Sequence, residues 1–408
     1  MQARGKRLEC QGVKCVMRAA LCRLYEWRKT GLLCDLGPAK FQSPSEFLTQ
    51  AVTQTKRSHV IPAWCDLVVF ADVHGDFLAL LSHLYLAKVI NAEGWWIGGD
   101  TWVCSTGDWI DRAGRGDATV DTSHNPREEV DILQYIHALN LSAAEHGGGV
   151  LFTLGNHELR RVQDAAAGVV GHHAGNQVAG WSDQPKVSAN VALDTMNKLW
   201  APKGLMAQYL SRNCPAVARY GNKGYATTLL MHGGLESAFA RQGVDTLANQ
   251  CAVLFLTGIG KCKEGGLLDH VTLTRALGSG VCPVEDVERT LEKTGARQIV
   301  IGHTVQSKGD SPAACGGKVW RLDFGMSEAF GSEGSVNVLL LKPTPDQNPE
   351  KPSDIEAVFI TSSSVFERGA KTYETWREVR TTFVNGVVTS VEGHVVERKV
   401  RQKDLIDA

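Results

Sequence analysis

Apolar residues along this chain fall in short runs of strand length, each followed after a turn by apolar positions at helical spacing. LVVFA (67–71) is a continuous hydrophobic run, as expected for a strand covered on both faces, and Phe77, Leu80, Leu81 and Leu84 then recur along one side of a helix. The same grammar repeats with TWVCSTGD (101–108). From about Arg127, Val130, Leu133, Ile136 and Leu141 predict a helix, which Gly147 to Gly149 stop before a third strand, GVLFTLGN (149–156). Residues 225–231 and 298–301 read as two more strands. Before the latter, Pro283 opens a helix with Val284, Val287 and Leu291 on one face and Gly295 just past its end. VWRLDFGMS (319–327), SVNVLLL (335–341) and AVFITSS (357–363) predict strands of a second sheet. The alternation TTFVNGVVTSVEGHVVERKV (381–400) predicts a hairpin turning at Asn385-Gly386. Alternating β and α elements imply an α/β layered architecture.

These elements divide the 408 residues into three stretches. Residues 1–63 read as an N-terminal extension with a helix or two, 64–370 as the catalytic body, and 371–408 as a C-terminal hairpin or tail. Within the body, 159–224 is an insert rich in Ala, Gly and polar residues, placed where a substrate-facing cap would sit. KPTPDQNPEKP (342–352) is a polar, Pro-rich loop.

Charge narrows the partners. With 43 basic against 44 acidic residues, no global field argues for nucleic acid or an acidic membrane. No run approaches the roughly 18 to 20 apolar residues that span a bilayer, and no short apolar segment near the start resembles a secretory leader. Arg4, Lys6, Arg7, Lys14, Arg18, Arg23, Arg28 and Lys29 face only Glu9 and Glu26. Such starts occur in organelle transit peptides, but this one has no serine, so a solvated basic helix is the preferred reading. The expected compartment is cytoplasmic, with organelle import the alternative. The eleven cysteines include no CxxC pair and read as reduced, mostly buried thiols.

Candidate chemistry sits where the strands stop. FADVHGD (70–76), STGDWIDR (105–112), LGNHE (154–158), MHGG (231–234) and IGHT (301–304) each place Asp, Asn or His at a strand end, the edge of an α/β sheet where ligands gather. Singly, an Asp or Asn before Gly is a turn or cap residue and a lone His is core or surface. Six such residues in five similar contexts instead suggest a pair of divalent ions held by oxygen and imidazole. Asp72 and His74, two apart on extended chain, leave the same face and can share one ion. Asp108 could bridge it to a second ion, completed by Asn156, His232 and His303. Two metals about 3.5 to 4 Å apart clamp a phosphoryl group and lower the pKa of bound water toward about 7. His157 would stand beside them as general acid with Asp111 orienting it, and Arg112 offers a fork for phosphate oxygens. Arg160, Arg161 and Arg275 are further candidates for that last task.

In order, these motifs resemble the calcineurin-like metallophosphoesterase superfamily, and specifically its PPP-type protein phosphatases, over about residues 66–341. RLDFGMSEAFGS (321–332) and Leu154 before GNHE resemble the Shewanella-like, or bacterial-like, branch. The resemblance implies a layered α/β/β/α sandwich of two mixed sheets with a helical cap insert. It implies Asp72, His74, Asp108, Asn156, His232 and His303 as ligands of two divalent metals, and His157 with Asp111 as acid and partner. VTLTRALG (271–278) resembles that branch's LWxR segment, which would make Arg275 the second phosphate fork. Three departures stand out: Ala71 for the usual Gly, Ala113 for the Gly of DRG, and a long insert.

The reading that follows is a metal-dependent phosphomonoesterase acting on phosphoprotein, with hydroxide attacking phosphorus directly and no phosphoenzyme. The mixed oxygen and nitrogen donors suit manganese, iron or zinc. Hydrolysis of a small molecule such as a diadenosine polyphosphate is the alternative within enzymes. A non-catalytic scaffold on the same fold is the alternative outside them. A regulatory subunit is left unspecified.

Overall fold

The expected strands form, but they are shared between two sheets in an order the sequence does not announce. The computed structural model describes residues 43–54, 58–91, 94–112, 127–169, 175–184, 187–221, 227–260, 263–307, 310–327, 330, 336–343, 355–364, 373–384 and 387–399. From α1 (Pro44–Gln54) the chain passes through β1 (Val60–Ile61), β2 (Leu67–Phe70), α2 (Phe77–Leu86), β3 (Trp102–Ser105), α3 (Glu128–Ala144), β4 (Gly149–Phe152) and α4 (Asn156–Ala167). A 3-10 turn at Gly175–Trp181 leads to α5 (Ala189–Trp200), α6 (Leu205–Asn213), β5 (Val217–Tyr220) and β6 (Thr228–Met231). Next come α7 (Val244–Leu256), α8 (Leu267–Leu273), α9 (Val284–Thr294) and β7 (Gln298–Ile301). The short β8 (Ala313–Ala314) and β9 (Val319–Arg321) precede four long strands: β10 (Val336–Pro343), β11 (Ile355–Ser364), β12 (Tyr373–Val384) and β13 (Val387–Lys399).

One sheet has the order β1-β5-β6-β7-β9-β8 and the other β13-β12-β11-β10-β2-β3-β4. Both are mixed: β2, β3 and β4 are parallel, whereas β10 runs antiparallel to β2 with Leu341 opposite Leu67. Side-chain parity shows how the sheets stack. Leu67 and Val69 of β2, Leu339 and Leu341 of β10, Leu230 of β6 and Val300 of β7 share one buried cluster, the core between the sheets. Their neighbours Val68, Phe70, Val338, Leu229, Met231, Ile299 and Ile301 point the other way into the cluster built with the helices. The result is the expected α/β/β/α sandwich. Ala71, where the related pattern has Gly, is fully buried in the inter-sheet core.

Local signals account for the helix ends. The Asp76 carboxylate caps α2 by accepting the N–H of Ala79 at 2.9 Å, and α9 ends on Gly295 in the left-handed conformation. Two expected apolar positions face outward: Leu141 is 38% and Val284 47% exposed, and the buried stripe of α3 runs through Leu139 and Ala143 instead.

Several expectations need correction. The strands at 336–343 and 355–364 join the sheet of β2 rather than a separate one, while β9 joins that of β7. Cys282 and Cys315 form a disulfide, although the cysteines read as thiols: the turn after β8 returns beside the segment before α9, setting their Cα atoms 5.6 Å apart. Cys65, Cys104, Cys214 and Cys251 are free. Packing continues on both sides of residue 63, because β1 pairs in parallel with β5 and α1 lies on α6. Residues of the 159–224 insert likewise pack into the body, with Trp181 and Trp200 fully buried and β5 paired inside a sheet. The 373–399 hairpin pairs Val384 with Val387 and extends the seven-stranded sheet; its turn at Asn385-Gly386, like Ala113, lies outside the described residues. Among the described residues no helix is long and apolar enough to cross a membrane.

Leu48 on α1 is completely buried. Leu48→Ala is therefore expected to destabilise the protein by about 2 to 5 kcal/mol, read by chemical denaturation, and an unchanged midpoint would show that α1 is detachable.

Candidate metal centre

Five strand ends supply the site, three from the larger sheet and two from the smaller. Asp72 and His74 follow β2, Asp108 follows β3, Asn156 and His157 open α4 after β4, His232 follows β6 and His303 follows β7. Strands parallel within each sheet end on the same side, which is why these residues meet.

All six expected ligands and His157 come together. His74, Asp108 and His157 offer ligand atoms within 4.8 Å of one another, and so do Asp108, His232 and His303, so Asp108 belongs to both groups. His232 Nε2 lies 3.1 Å from Asp108 Oδ2 and 2.9 Å from Asn156 Oδ1. Asp72 completes the set: its Oδ2 is 3.8 Å from His74 Nε2 and accepts the backbone N–H of His303 at 3.1 Å.

The imidazoles are of two kinds. His74 Nδ1 lies 3.1 Å from the Ile110 carbonyl, His232 Nδ1 2.9 Å from that of Thr106, and His303 Nε2 3.1 Å from that of Leu273. A carbonyl accepts only from N–H, so each of these rings, when neutral, would turn its other nitrogen, as a lone pair, into the cluster. Burial, reinforced by His232, pushes His303 down to about 3, keeping it neutral. His157 differs, because its Nδ1 is held at 2.8 Å by a carboxylate oxygen of Asp111, a partner that favours the protonated ring. Burial works to raise both acids. Yet His232, His157 and His74 hold the Asp108 carboxyl well below its usual range, and Arg161 and His157 do the same for Asp111.

Backbone strain concentrates here. Of the seven non-glycine residues with positive φ among the described residues, four are His74 (+44°), Asp108 (+51°), Asp111 (+66°) and His303 (+65°). Each costs about 1 to 3 kcal/mol unless its surroundings hold it. For Asp108 the holder is Glu158, whose carboxylate accepts the N–H groups of Asp108 (3.1 Å), Trp109 (3.0 Å) and Gly155 (2.7 Å). Burial, then the Asp108 charge, pushes Glu158 up to about 7. Glu158 was not among the residues singled out, although an acidic side chain at the third position of a helix is a recognised capping signal. The glycines before the ligands serve close approach: a Cβ on Gly155 would lie 2.1 Å from Asp108 Oδ1, and one on Gly302 2.3 Å from Asp72 Oδ1.

The arginines divide sharply. Arg112 is 3% exposed and its Nη1 is bound to Glu128. Arg161 is tied to Asp111 and Glu129 inside the body. Arg160 and Arg275 instead line a cleft of about 240 Å³ with Asn156, Gln163 and His303, and Arg275 Nη1 donates to the His303 carbonyl at 2.8 Å.

Comparison with known proteins agrees with this geometry. The calcineurin-like phosphoesterase family matches residues 66–307. Shewanella-like protein phosphatase 2 of Arabidopsis thaliana is 24% identical over 308 residues, covering 68% of this chain and 75% of that protein. An uncharacterized Schizosaccharomyces pombe protein is 26% identical over 284 residues, 66% of this chain and 76% of its own. Among solved structures, a cold-active protein-tyrosine phosphatase of a psychrophilic Shewanella species aligns with a TM-score of 0.53 and 20% identity over 84% of both chains. A second structure of a cold-active protein tyrosine phosphatase aligns with the same TM-score of 0.53 and 19% identity over 88% of this chain and 84% of that one. At these identities the structural likeness is one of fold.

Gly302→Ala is expected to cost about 1 to 3 kcal/mol in denaturant unfolding, because its methyl group would displace Asp72 or Thr106. Wild-type stability in that variant would mean that the close approach is not required.

Proposed function

Because the chain belongs to the calcineurin-like phosphoesterases, whose family match spans more than half of it, we propose that it is a phosphoprotein phosphatase working through a dinuclear divalent metal centre. The observation that carries this reading is Asp108, a buried carboxylate common to two groups of imidazoles that converge on it. Asp72, His74 and Asp108 would hold one ion, and Asp108, Asn156, His232 and His303 the other. When bound, such a pair polarises the phosphoryl oxygens and lowers the pKa of a water from about 15.7 toward about 7. The borderline donor set fits manganese, iron or zinc.

The remaining tasks fall to side chains outside the ligand set. His157 serves as proton donor to the leaving oxygen from Nε2, since Asp111 holds Nδ1 and stabilises the charged ring. Arg275, with Arg160 across the same cleft, offers positive charge to the non-bridging phosphate oxygens, and Arg112, whose Nη1 is bound to Glu128, has further N–H groups for the same task. The name of the Arabidopsis relative favours phosphoprotein over a nucleotide as substrate. A panel of phosphoserine, phosphothreonine and phosphotyrosine peptides against diadenosine polyphosphates tests the assignment. Turnover confined to the nucleotides would overturn it.

Asp108→Asn should lower hydrolysis of an aryl phosphate by at least about a thousandfold, as expected when several kcal/mol of charge stabilisation are lost. The circular dichroism spectrum should be unchanged, and full activity in the purified variant would refute the shared-ligand role. Chelation should abolish turnover and added manganese, iron or zinc should restore it; undiminished turnover after metal has been removed would count against the centre.

A further inference from the structure

Behind Asp111 lies a buried ionic cluster that the reaction as described does not use. Arg161, on α4 one turn beyond His157, sends Nη1 to Glu129 Oε2 at 2.5 Å and Nη2 to Glu129 Oε1 at 3.1 Å and to Asp111 Oδ1. Glu129 Oε1 also accepts the backbone N–H of Asp111 at 2.8 Å, and its Oε2 accepts the Trp181 indole N–H at 2.8 Å. Trp200 covers the guanidinium at 5.2 Å from its ring and meets Trp181 edge-on at 5.1 Å. Asp111, Glu129, Arg161, Trp181 and Trp200 are each at most 3% exposed. Three of these groups, Arg161, Trp181 and Trp200, come from the long insert.

This arrangement divides the two oxygens of one carboxylate. Asp111 Oδ2 takes the N–H of His157, while Oδ1 is pinned by Arg161. A carboxylate held at one oxygen only can turn about its Cβ–Cγ bond, and the imidazole that depends on it turns as well. Arg161 also places a charge between two buried acids that would otherwise repel.

We propose that Arg161, anchored by Glu129 and braced by Trp181 and Trp200 of the insert, is a positioning residue that fixes Asp111 and so aims His157 Nε2 at the leaving oxygen. The inference rests on the reading of His157 as proton donor. A proton matters most when the leaving oxygen is strongly basic, so the readout is kcat across aryl phosphates of rising leaving-group basicity.

The charge-balanced variant Arg161→Met/Glu129→Gln removes one positive and one negative group together and leaves Asp111 and His157 in place. Expected is a loss of about tenfold to a hundredfold on phenyl phosphate, part of the 10²–10⁴ that general acids contribute, against less than about threefold on 2,4-dinitrophenyl phosphate. Metal content should be unchanged, and adding the pair of substitutions to His157→Asn should cost nothing beyond the loss of His157→Asn alone. A uniform loss across the series, or one that adds independently to His157→Asn, would overturn the inference. If His157→Asn itself leaves the dependence on leaving group unaltered, the proton-donor reading falls and this inference with it. If His157→Asn steepens the dependence and the double variant does not, only the inference falls. Should the double variant not fold, Trp181→Phe decides: it keeps a ring but loses the N–H to Glu129, so a steeper dependence supports the positioning role and an unchanged one refutes it.

Discussion

Two carboxylates, those of Asp72 and Asp108, lie 2% exposed at the meeting point of both sheets, and nearly everything around them answers to the cost of burying that charge. Four imidazoles close around them, and three of these set one ring nitrogen against a backbone carbonyl. The backbone that carries the carboxylates and histidines is held in conformations it would not adopt alone. A pair of cations is what such a cavity is built to receive, and the donor set and the strain are two sides of the same requirement.

A second charge problem lies one layer out. Glu158 draws four backbone N–H groups onto a single carboxylate and thereby joins the β3 loop to the start of α4. Asp111, Glu129 and Arg161 form a separate cluster, sealed by tryptophans. His157, the proposed proton donor, stands between these layers, facing the proposed metals with one ring nitrogen and the ionic cluster with the other. This makes the insert a structural partner of the chemistry even where its residues are far from any substrate.

The residues that converge at the candidate centre were legible in the sequence because the information is local: a strand-length apolar run, a small residue, then Asp, Asn or His. Pairing between distant strands is not local. Nothing near Leu341 says that it will lie opposite Leu67, and so the assignment of β10 and β11 to a separate sheet failed. What surrounds each arginine is not local either. Arg112 and Arg161 have the chemistry of phosphate forks, but a guanidinium suits a protein carboxylate equally well, and Glu128 and Glu129, adjacent on α3, reach them first. Arg160 and Arg275 carry no stronger local signal, and the fold leaves them in the cleft. Cys282 and Cys315, 33 residues apart, show the same limit, since their approach is set by the turn after β8.

His232 and His303 hang from the smaller sheet, while Asp72, Asp108 and Asn156 hang from the larger. The cluster therefore straddles a seam, and its internal spacing is inherited from the thickness of the hydrophobic layer in which Leu230 and Val300 meet Val69 and Leu339. A methylene added or lost in that layer is a change to the reactive centre itself. Residues that never approach a phosphate are thus answerable to selection on turnover as well as on folding, and neither sheet could be traded between proteins without its counterpart.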